Sequence, residues 1–310
     1  MIRTLIFLIA VPLMAGDIRI GIIGTDTSHV PAFTKMLNDA SDPAHIAGAR
    51  IVAAYKGGSP DLESSRKRVD GYADEIRTKY GVEIVQDIPT LCSKVDAVLI
   101  ESVDGRPHLA QARQVFAAKK PVFIDKPLAA TLEDAREIAR LGREAGVPWF
   151  SSSSLRWSEI TETMKFPDTQ GVDTWGPGPF EEHHPLDLSW YAIHPIEVLF
   201  TLMGTGCEEV TRTAGATAEV VTCRWKDGRI GTVRALRPYG AYGAVVYRPD
   251  GVVQSPAKPK SGYETLVAKI VQFFQTGQPP VPNDETLEIF AFMDAAQRSK
   301  EAGGKPMRLR

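Results

Sequence analysis

Cysteine is scarce in this chain. There are three in 310 residues, Cys92, Cys207 and Cys223, far apart and without a Cys-x-x-Cys spacing. Their odd number and strand-like settings read as buried free thiols, with one disulfide allowed if the chain folds in an oxidising compartment. An excess of charge of one sign is also missing. The 36 basic and 38 acidic residues leave a net charge of -2, which argues against nucleic acid or an acidic membrane surface as partner. No internal repeat or low-complexity tract interrupts the sequence. The one long apolar run, Thr4 to Met14, is short for a membrane span and contains Pro12. It follows the basic start Met1-Ile2-Arg3 and ends at Ala15, the pattern of a secretory signal over residues 1–15. Without a twin-arginine pair, export of the unfolded chain is expected, to the periplasm or beyond, where a nicotinamide cofactor is scarce.

What is present is a sizeable apolar fraction, 43%, with 24% charged residues, enough for a large core and a length that suits two domains. The first element is Arg19-Ile20-Gly21-Ile22-Ile23-Gly24-Thr25-Asp26-Thr27-Ser28-His29. It has the form of the first strand and glycine turn of a dinucleotide-binding unit, but Asp26 stands where the second glycine belongs. That glycine lets a pyrophosphate approach the backbone at a helix N-terminus. A carboxylate there repels the phosphates unless it turns away or a cation intervenes. Gly24, Thr25, Asp26, Thr27 and Ser28 are therefore either a modified phosphate cradle or caps for a helix running through Val30 to Leu37.

Strands and helices then alternate. Arg50 to Tyr55 is a second strand, ending in Tyr55-Lys56-Gly57-Gly58 without the acid that would take the ribose hydroxyls. Lys56 instead suits a 2′-phosphate, which would favour NADP, or solvent. Residues 62–80 read as an exposed helix. Val95 to Ile100 reads as a central parallel strand leading to Glu101 and to His108 at a helix start. Another strand, Pro121 to Ile124, ends at Asp125-Lys126-Pro127. The loops 24–29, 56–61, 101–108 and 125–128 thus lie beyond strand C-termini, where open α/β sheets bind ligands.

From Val122 to Ala129, through the helix Leu132 to Ala145 and Gly146-Val147-Pro148, the chain resembles the glucose-fructose oxidoreductase / inositol dehydrogenase / MocA family. That family has Glu-Lys-Pro where this sequence has Asp125-Lys126-Pro127. The strand Trp149 to Ser154 and the C-terminal helix Asp284 to Glu301 fit the same resemblance. It implies an α/β fold: a Rossmann-type doubly wound parallel sheet over residues 16–150, then an α+β domain over 151–310 with an open, mainly antiparallel sheet. The C-terminal helix is placed to pack back on the first domain. Two hairpin signals, Lys226-Asp227-Gly228 and Asp250-Gly251, support the second sheet independently. Its polar face meets either water or a second copy of the chain.

The resemblance also implies NAD or NADP as cofactor and a carbohydrate or polyol as substrate. Lys126 would polarise the reacting oxygen, and Lys126 and Pro127 would lie beside the nicotinamide, with Glu101 and His108 as further cofactor contacts. His194 matches the histidine that opens a helix in the second domain. Trp190, however, stands four residues earlier in place of the family's aspartate, and an indole cannot exchange that proton. Asp187 is the nearest upstream carboxylate and the candidate replacement. Arg156, Trp157, His183 and Tyr191 are the candidate substrate contacts. His183, His184, Asp187 and His194 include metal-ligand types, but no metal is assigned. Two functions result: an NAD(P)-dependent oxidoreductase transferring hydride, or a cofactor-free carbohydrate-binding derivative, towards which Asp26, the absent ribose acid, Trp190 and the signal all point.

Overall fold

The structure is a computed structural model that describes residues 16–310; the expected signal segment lies outside the described residues. Six strands form the first sheet: β1 (Ile18–Ile23), β2 (Ala49–Tyr55), β3 (Glu83–Val85), β4 (Ala97–Ile100), β5 (Val122–Ile124) and β6 (Trp149–Ser151). All run parallel in the order β3-β2-β1-β4-β5-β6, the doubly wound arrangement. β4 is apolar and buried at every position, as a central strand covered on both faces must be.

The intervening helices are α1 (His29–Asn38), α2 (Glu63–Arg66), α3 (Val69–Tyr80), α4 (Ile88–Lys94), α5 (His108–Ala117) and α6 (Leu132–Ala145). Local chemistry sets their ends. Thr131 caps α6 by accepting from Asp134 N, and Gly146 closes it in the left-handed conformation at φ 64°. Asp87 caps α4 in the same way through Thr90 N. The expected capping of α1 is found only in part, through Thr27 Oγ1, which accepts from His29 N at 3.5 Å. Ser28 makes no side-chain cap, and Thr25 and Asp26 are engaged elsewhere. The single helix expected over 62–80 is broken into α2 and α3.

Beyond Ser151 the chain builds α7 (Glu159–Thr163), β7 (Gly171–Pro177), α8 (Ile193–Met203), β8 (Cys207–Ala214), β9 (Ala218–Trp225), β10 (Ile230–Leu236), β11 (Gly243–Arg248), β12 (Gly251–Gln254), α9 (Glu264–Thr276), α10 (Asn283–Glu301) and β13 (Met307–Arg308). Its sheet has the order β12-β11-β7-β10-β9-β8-β13, antiparallel except for β7 with β10. Val221, Cys223 and Trp225 point into the core while Thr222 and Arg224 face outward, the alternation read from the sequence.

The last helices return to the first sheet. On one face, Leu266, Val267, Ile270 and Phe273 of α9 pack with Ile20, Phe33 and Phe150. On the other, α10 packs against α6 and β6. At about 1.5–3 kcal/mol for each buried large apolar side chain, the α9 contacts are a substantial part of what holds β1 and α1 in place.

The cysteine expectation is corrected. Cys207 and Cys223, on neighbouring strands β8 and β9, form a disulfide with a Cα–Cα distance of 6.0 Å, and Cys92 alone is a buried free thiol. Adjacent antiparallel strands bring the two residues together, a proximity that sequence separation hides. Thiol titration of the denatured, unreduced chain should therefore count one thiol, from Cys92. The variant Cys207→Ala should lose about 3 kcal/mol in denaturant unfolding.

Candidate functional site

Where the C-terminal ends of the first sheet meet α8 there is a cavity of about 380 Å³. Lys126, His194, Tyr191, His29, Tyr242 and Tyr263 stand in its wall. A larger groove of about 910 Å³ runs between α6 and α10. It is lined by arginines and carboxylates already paired with one another, such as Arg140 with Glu137 and Arg310 with Asp294. The chemistry therefore points to the smaller cavity.

His194 lies in the first turn of α8. Its Nδ1 is 2.6 Å from Ser153 Oγ, which also accepts from Leu155 N at 3.1 Å. In the tautomer that donates Nδ1–H to Ser153 Oγ, Nε2 is a free acceptor, and among the described residues no protein group binds it. Burial first, and then the Lys126 ammonium, push His194 well below the ordinary imidazole range, so the ring is a neutral base at pH 7. One turn further along α8, Glu197 accepts from Ser153 N at 2.7 Å, Ser152 Oγ at 3.0 Å and Arg156 Nε at 2.7 Å. That carboxylate fixes the loop that orients His194.

Arg156 is consequently not a substrate contact. It is buried between Glu197 and Glu285, 2.7 Å from each, and ties α8 to α10. Trp157 is directed away from the cavity, donating to Ser152 Oγ at 3.2 Å with Lys269 over its ring.

Lys126 is nearly buried at the cavity wall and precedes a cis peptide bond to Pro127. Its ammonium lies 5.6 Å from the centroid of the Tyr191 ring. Tyr191 in turn meets His194 edge-on, so these three expected residues do assemble. Beside Lys126, Asp125 Oδ1 accepts from Lys126 N at 2.7 Å, while Oδ2 is 2.8 Å from His29 Nδ1. Glu101 Oε2 is 3.4 Å from the same nitrogen. Burial disfavours a charged His29, but Asp125 and Glu101 outweigh it and raise the ring to about 9. Burial and the Asp125 charge push Glu101 up to about 7.

The glycine turn resolves the question of Asp26. Its carboxylate is fully buried and points away from the cavity, accepting from Ser65 Oγ at 2.5 Å and from Val103 N at 3.0 Å. Thr25 Oγ1 donates to Val69 O at 2.8 Å. Gly24 N and Thr25 N donate to Tyr55 O and Lys56 O. Gly24 has φ 90°, and a Cβ there would stand 2.4 Å from Ser102 N. A Cβ on Gly57 would be 3.3 Å from Gly24 Cα. Residues 57–69 therefore lie on the turn, and Gly24, Thr25 and Asp26 are buried. A dinucleotide needs an open face for its pyrophosphate at this turn, and as folded here that face is confined to the end of the turn next to α1, where Ser28 is exposed. Of the turn, Thr27, Ser28 and His29 reach the cavity.

Other expected contacts fall outside the cavity. Lys56 forms a surface ion pair with Asp70 at 2.8 Å. His108 is a buried clip, with Nδ1 3.2 Å from Leu128 O and Nε2 2.9 Å from Ser102 O. Asp187 is held by Arg212 at 2.8 Å and Lys300 at 2.7 Å. These cations outweigh its burial and lower its pKa, so it does not replace the absent aspartate before His194. His183 pairs with Glu181 at 2.6 Å, which raises it. His184 is buried beside Asp104 at 3.3 Å and meets Trp190 edge-on. The histidines of this segment thus have separate partners and share no site.

His29 was missed by the sequence reading, although spacing marks it. It lies five residues after Gly24, where the Gly-x-Gly-x-x-Gly turn has its third glycine. That glycine allows close helix–strand packing. Here an imidazole enters the space instead, stacked on Phe33 at 5.1 Å and edge-on to Tyr263 at 4.8 Å. Tyr242 and Tyr263 come from the remote second half and carry no local signal.

A parallel sheet of this order, with a lysine at a strand end and a histidine from a second α/β unit above it, is a Rossmann-type architecture. Residues 18–152 match the Gfo/Idh/MocA model, described as an oxidoreductase family with an NAD-binding Rossmann fold. The chain is 35% identical over 104 residues to a 1,5-anhydro-D-fructose reductase of Ensifer adhaerens, covering 34% of this chain and 31% of the relative. It is 32% identical over 131 residues to an inositol 2-dehydrogenase of Paracoccus denitrificans, covering 42% and 34%. The match thus spans about a third of the length of these curated relatives. The fold is shared more widely. A myo-inositol dehydrogenase from Lactobacillus casei, solved with NAD(H) and myo-inositol, superposes with a TM-score of 0.73 at 18% identity, over 95% of this chain and 97% of that one.

Asp104 offers a test of the loop architecture. It is buried, yet contacts with His184, Arg106 and Ser59 hold its carboxyl well below the usual carboxylate range. A depressed pKa stabilises the fold above the unfolded value, about 3.9, and that stability is lost as pH falls below it. Asp104→Asn should cost about 2 kcal/mol at pH 7. In acid unfolding curves the gap between variant and wild type should close as pH falls.

Proposed function

We propose that this chain is an exported, carbohydrate- or polyol-directed member of the oxidoreductase family, acting on a substrate hydroxyl in the Lys126–His194 cavity. The observation that carries the reading is the pairing of a lysine with a neutral, Ser153-oriented histidine in one water-accessible pocket. Lys126 donates a hydrogen bond to the reacting oxygen and favours its deprotonated or carbonyl form. His194 Nε2 takes the hydroxyl proton, and the charge it gains is held by the Nδ1 contact to Ser153. Tyr191 and Tyr242 flank the ring and suit the apolar face of a sugar or cyclitol. Trp190, Arg156 and Asp187 take no part in proton transfer.

The family match and the NAD(H)-bound relative support NAD or NADP as redox partner, which when bound would accept or supply the hydride. The cover of residues 57–69 on the glycine turn favours the second reading, a cofactor-free carbohydrate-binding or otherwise non-redox derivative using the same cleft. On the first reading, that segment lifts to admit the dinucleotide. Export rests on the sequence of residues 1–15 and is supported by the Cys207–Cys223 bridge, since such bonds persist in oxidising compartments. A homo-oligomer through the outer face of the second sheet remains part of the proposal.

Calorimetry of the mature chain with NAD and NADP, together with assay for released nicotinamide, separates the two readings. Binding at either cofactor supports the first; no heat and no released cofactor supports the second. Under the first reading, Lys126→Ala and His194→Ala should retain the fold and lower turnover of a responsive polyol by about 100-fold or more; under the second, they should weaken carbohydrate binding with no turnover to lose. N-terminal sequencing of the exported protein should begin at Gly16.

A further inference from the structure

The cluster His29, Glu101 and Asp125 is not used by the proton-transfer chemistry above, and its local chemistry is unusual. Glu101 is fully buried, and neither of its oxygens has a hydrogen-bond partner. Asp125 Oδ2 and His29 Nδ1 are likewise unsatisfied, because their 2.8 Å approach lacks hydrogen-bonding geometry. Among the described residues, no lysine or arginine forms a salt bridge with either carboxylate. Two buried carboxylates, Glu101 with no donor and Asp125 with one backbone donor on a single oxygen, are costly.

We propose that His29, Glu101 and Asp125 bind a divalent transition-metal ion of the zinc–manganese class, at the floor of the Lys126–His194 cavity. One atom from each residue lies within 4.8 Å of the others. The shortest separations from His29 Nδ1 are 2.8 Å to Asp125 and 3.4 Å to Glu101. Ligands about 2.0–2.2 Å from a common ion stand about 3–3.5 Å apart, so the cluster needs little adjustment. One imidazole and two carboxylates suit such a cation.

The surrounding residues hold the ligands as a metal site requires. Phe33 and Tyr263 fix the plane of the His29 ring. Lys126 N holds the other oxygen of Asp125, and Glu101 N is anchored to Ile23 O at 2.7 Å. Three protein ligands leave positions open, and His29 borders the cavity. A substrate oxygen can therefore complete the coordination sphere. The replacement of the third turn glycine by histidine supplies the nitrogen ligand, while residues 57–69 cover the turn beside it.

The test uses the full mature chain and reads metal binding, so it is separate from the question of cofactor use. After chelator treatment and dialysis, ZnCl2 and MnCl2 are titrated by calorimetry, and CoCl2 by visible absorption. The expected result is one site per chain, with the intense low-coordinate cobalt bands that an aqueous ion lacks. Glu101→Gln and His29→Gln should each weaken binding by about 100-fold or more, while Asp70→Asn, on the surface, should leave it unchanged. Circular dichroism checks the fold of each variant. If a variant fails to fold, the thermal shift of the unmodified chain with each metal decides, with an increase expected. The proposal is overturned if the unmodified chain shows no saturable site and no thermal shift, or if folded Glu101→Gln binds as tightly as wild type.

Discussion

The buried carboxylate of Asp26 is the constraint on which the first half of this molecule depends. It accepts from Ser65 Oγ on one side and from Val103 N on the other, joining the glycine turn to the segment after β2 and to the loop after β4. A buried carboxylate is stable only when such donors surround it. Once they do, the turn is closed by the chain itself. The acid that in an open turn would confront phosphate here holds the cover in place. Ser59 Oγ to Asp104 and Thr25 Oγ1 to Val69 O extend the same fastening.

Much of this fold was legible because its period is simple. The apolar run through Val98-Leu99-Ile100, the alternation along Val221-Cys223-Trp225 and the glycine hairpins all became the elements they suggest. The site was legible only where sequence and strand end coincide, at Lys126, and where a helix start carries a polar residue, at His194. Pairings across the fold were not. Nothing near Arg156 announces Glu285, nothing near Asp187 announces Lys300, and Cys207 and Cys223 are separated by a whole turn and strand. Long-range partners decide whether a polar residue is structural or free for chemistry, and those partners follow from topology rather than from neighbours.

The departures from a dinucleotide turn are correlated in space. Asp26 at the second glycine position draws in residues 57–69, and His29 at the third faces Glu101 and Asp125. One substitution reshapes the outer side of the turn and the other its inner side. The cleft keeps its lysine and histidine, but the ground beneath them has changed in charge and in hydrogen-bonding capacity.

Helix α9 gives the molecule a particular order of assembly. Its apolar face closes the side of the first sheet formed by β1 and α1, although those elements are separated from it by more than two hundred residues of chain. During synthesis that face of the first sheet, packed by α1 and α3, therefore lacks the α9 contacts and cannot gain its full burial until the second half has followed. The native burial of the Rossmann-like half therefore draws on residues from both ends of the chain.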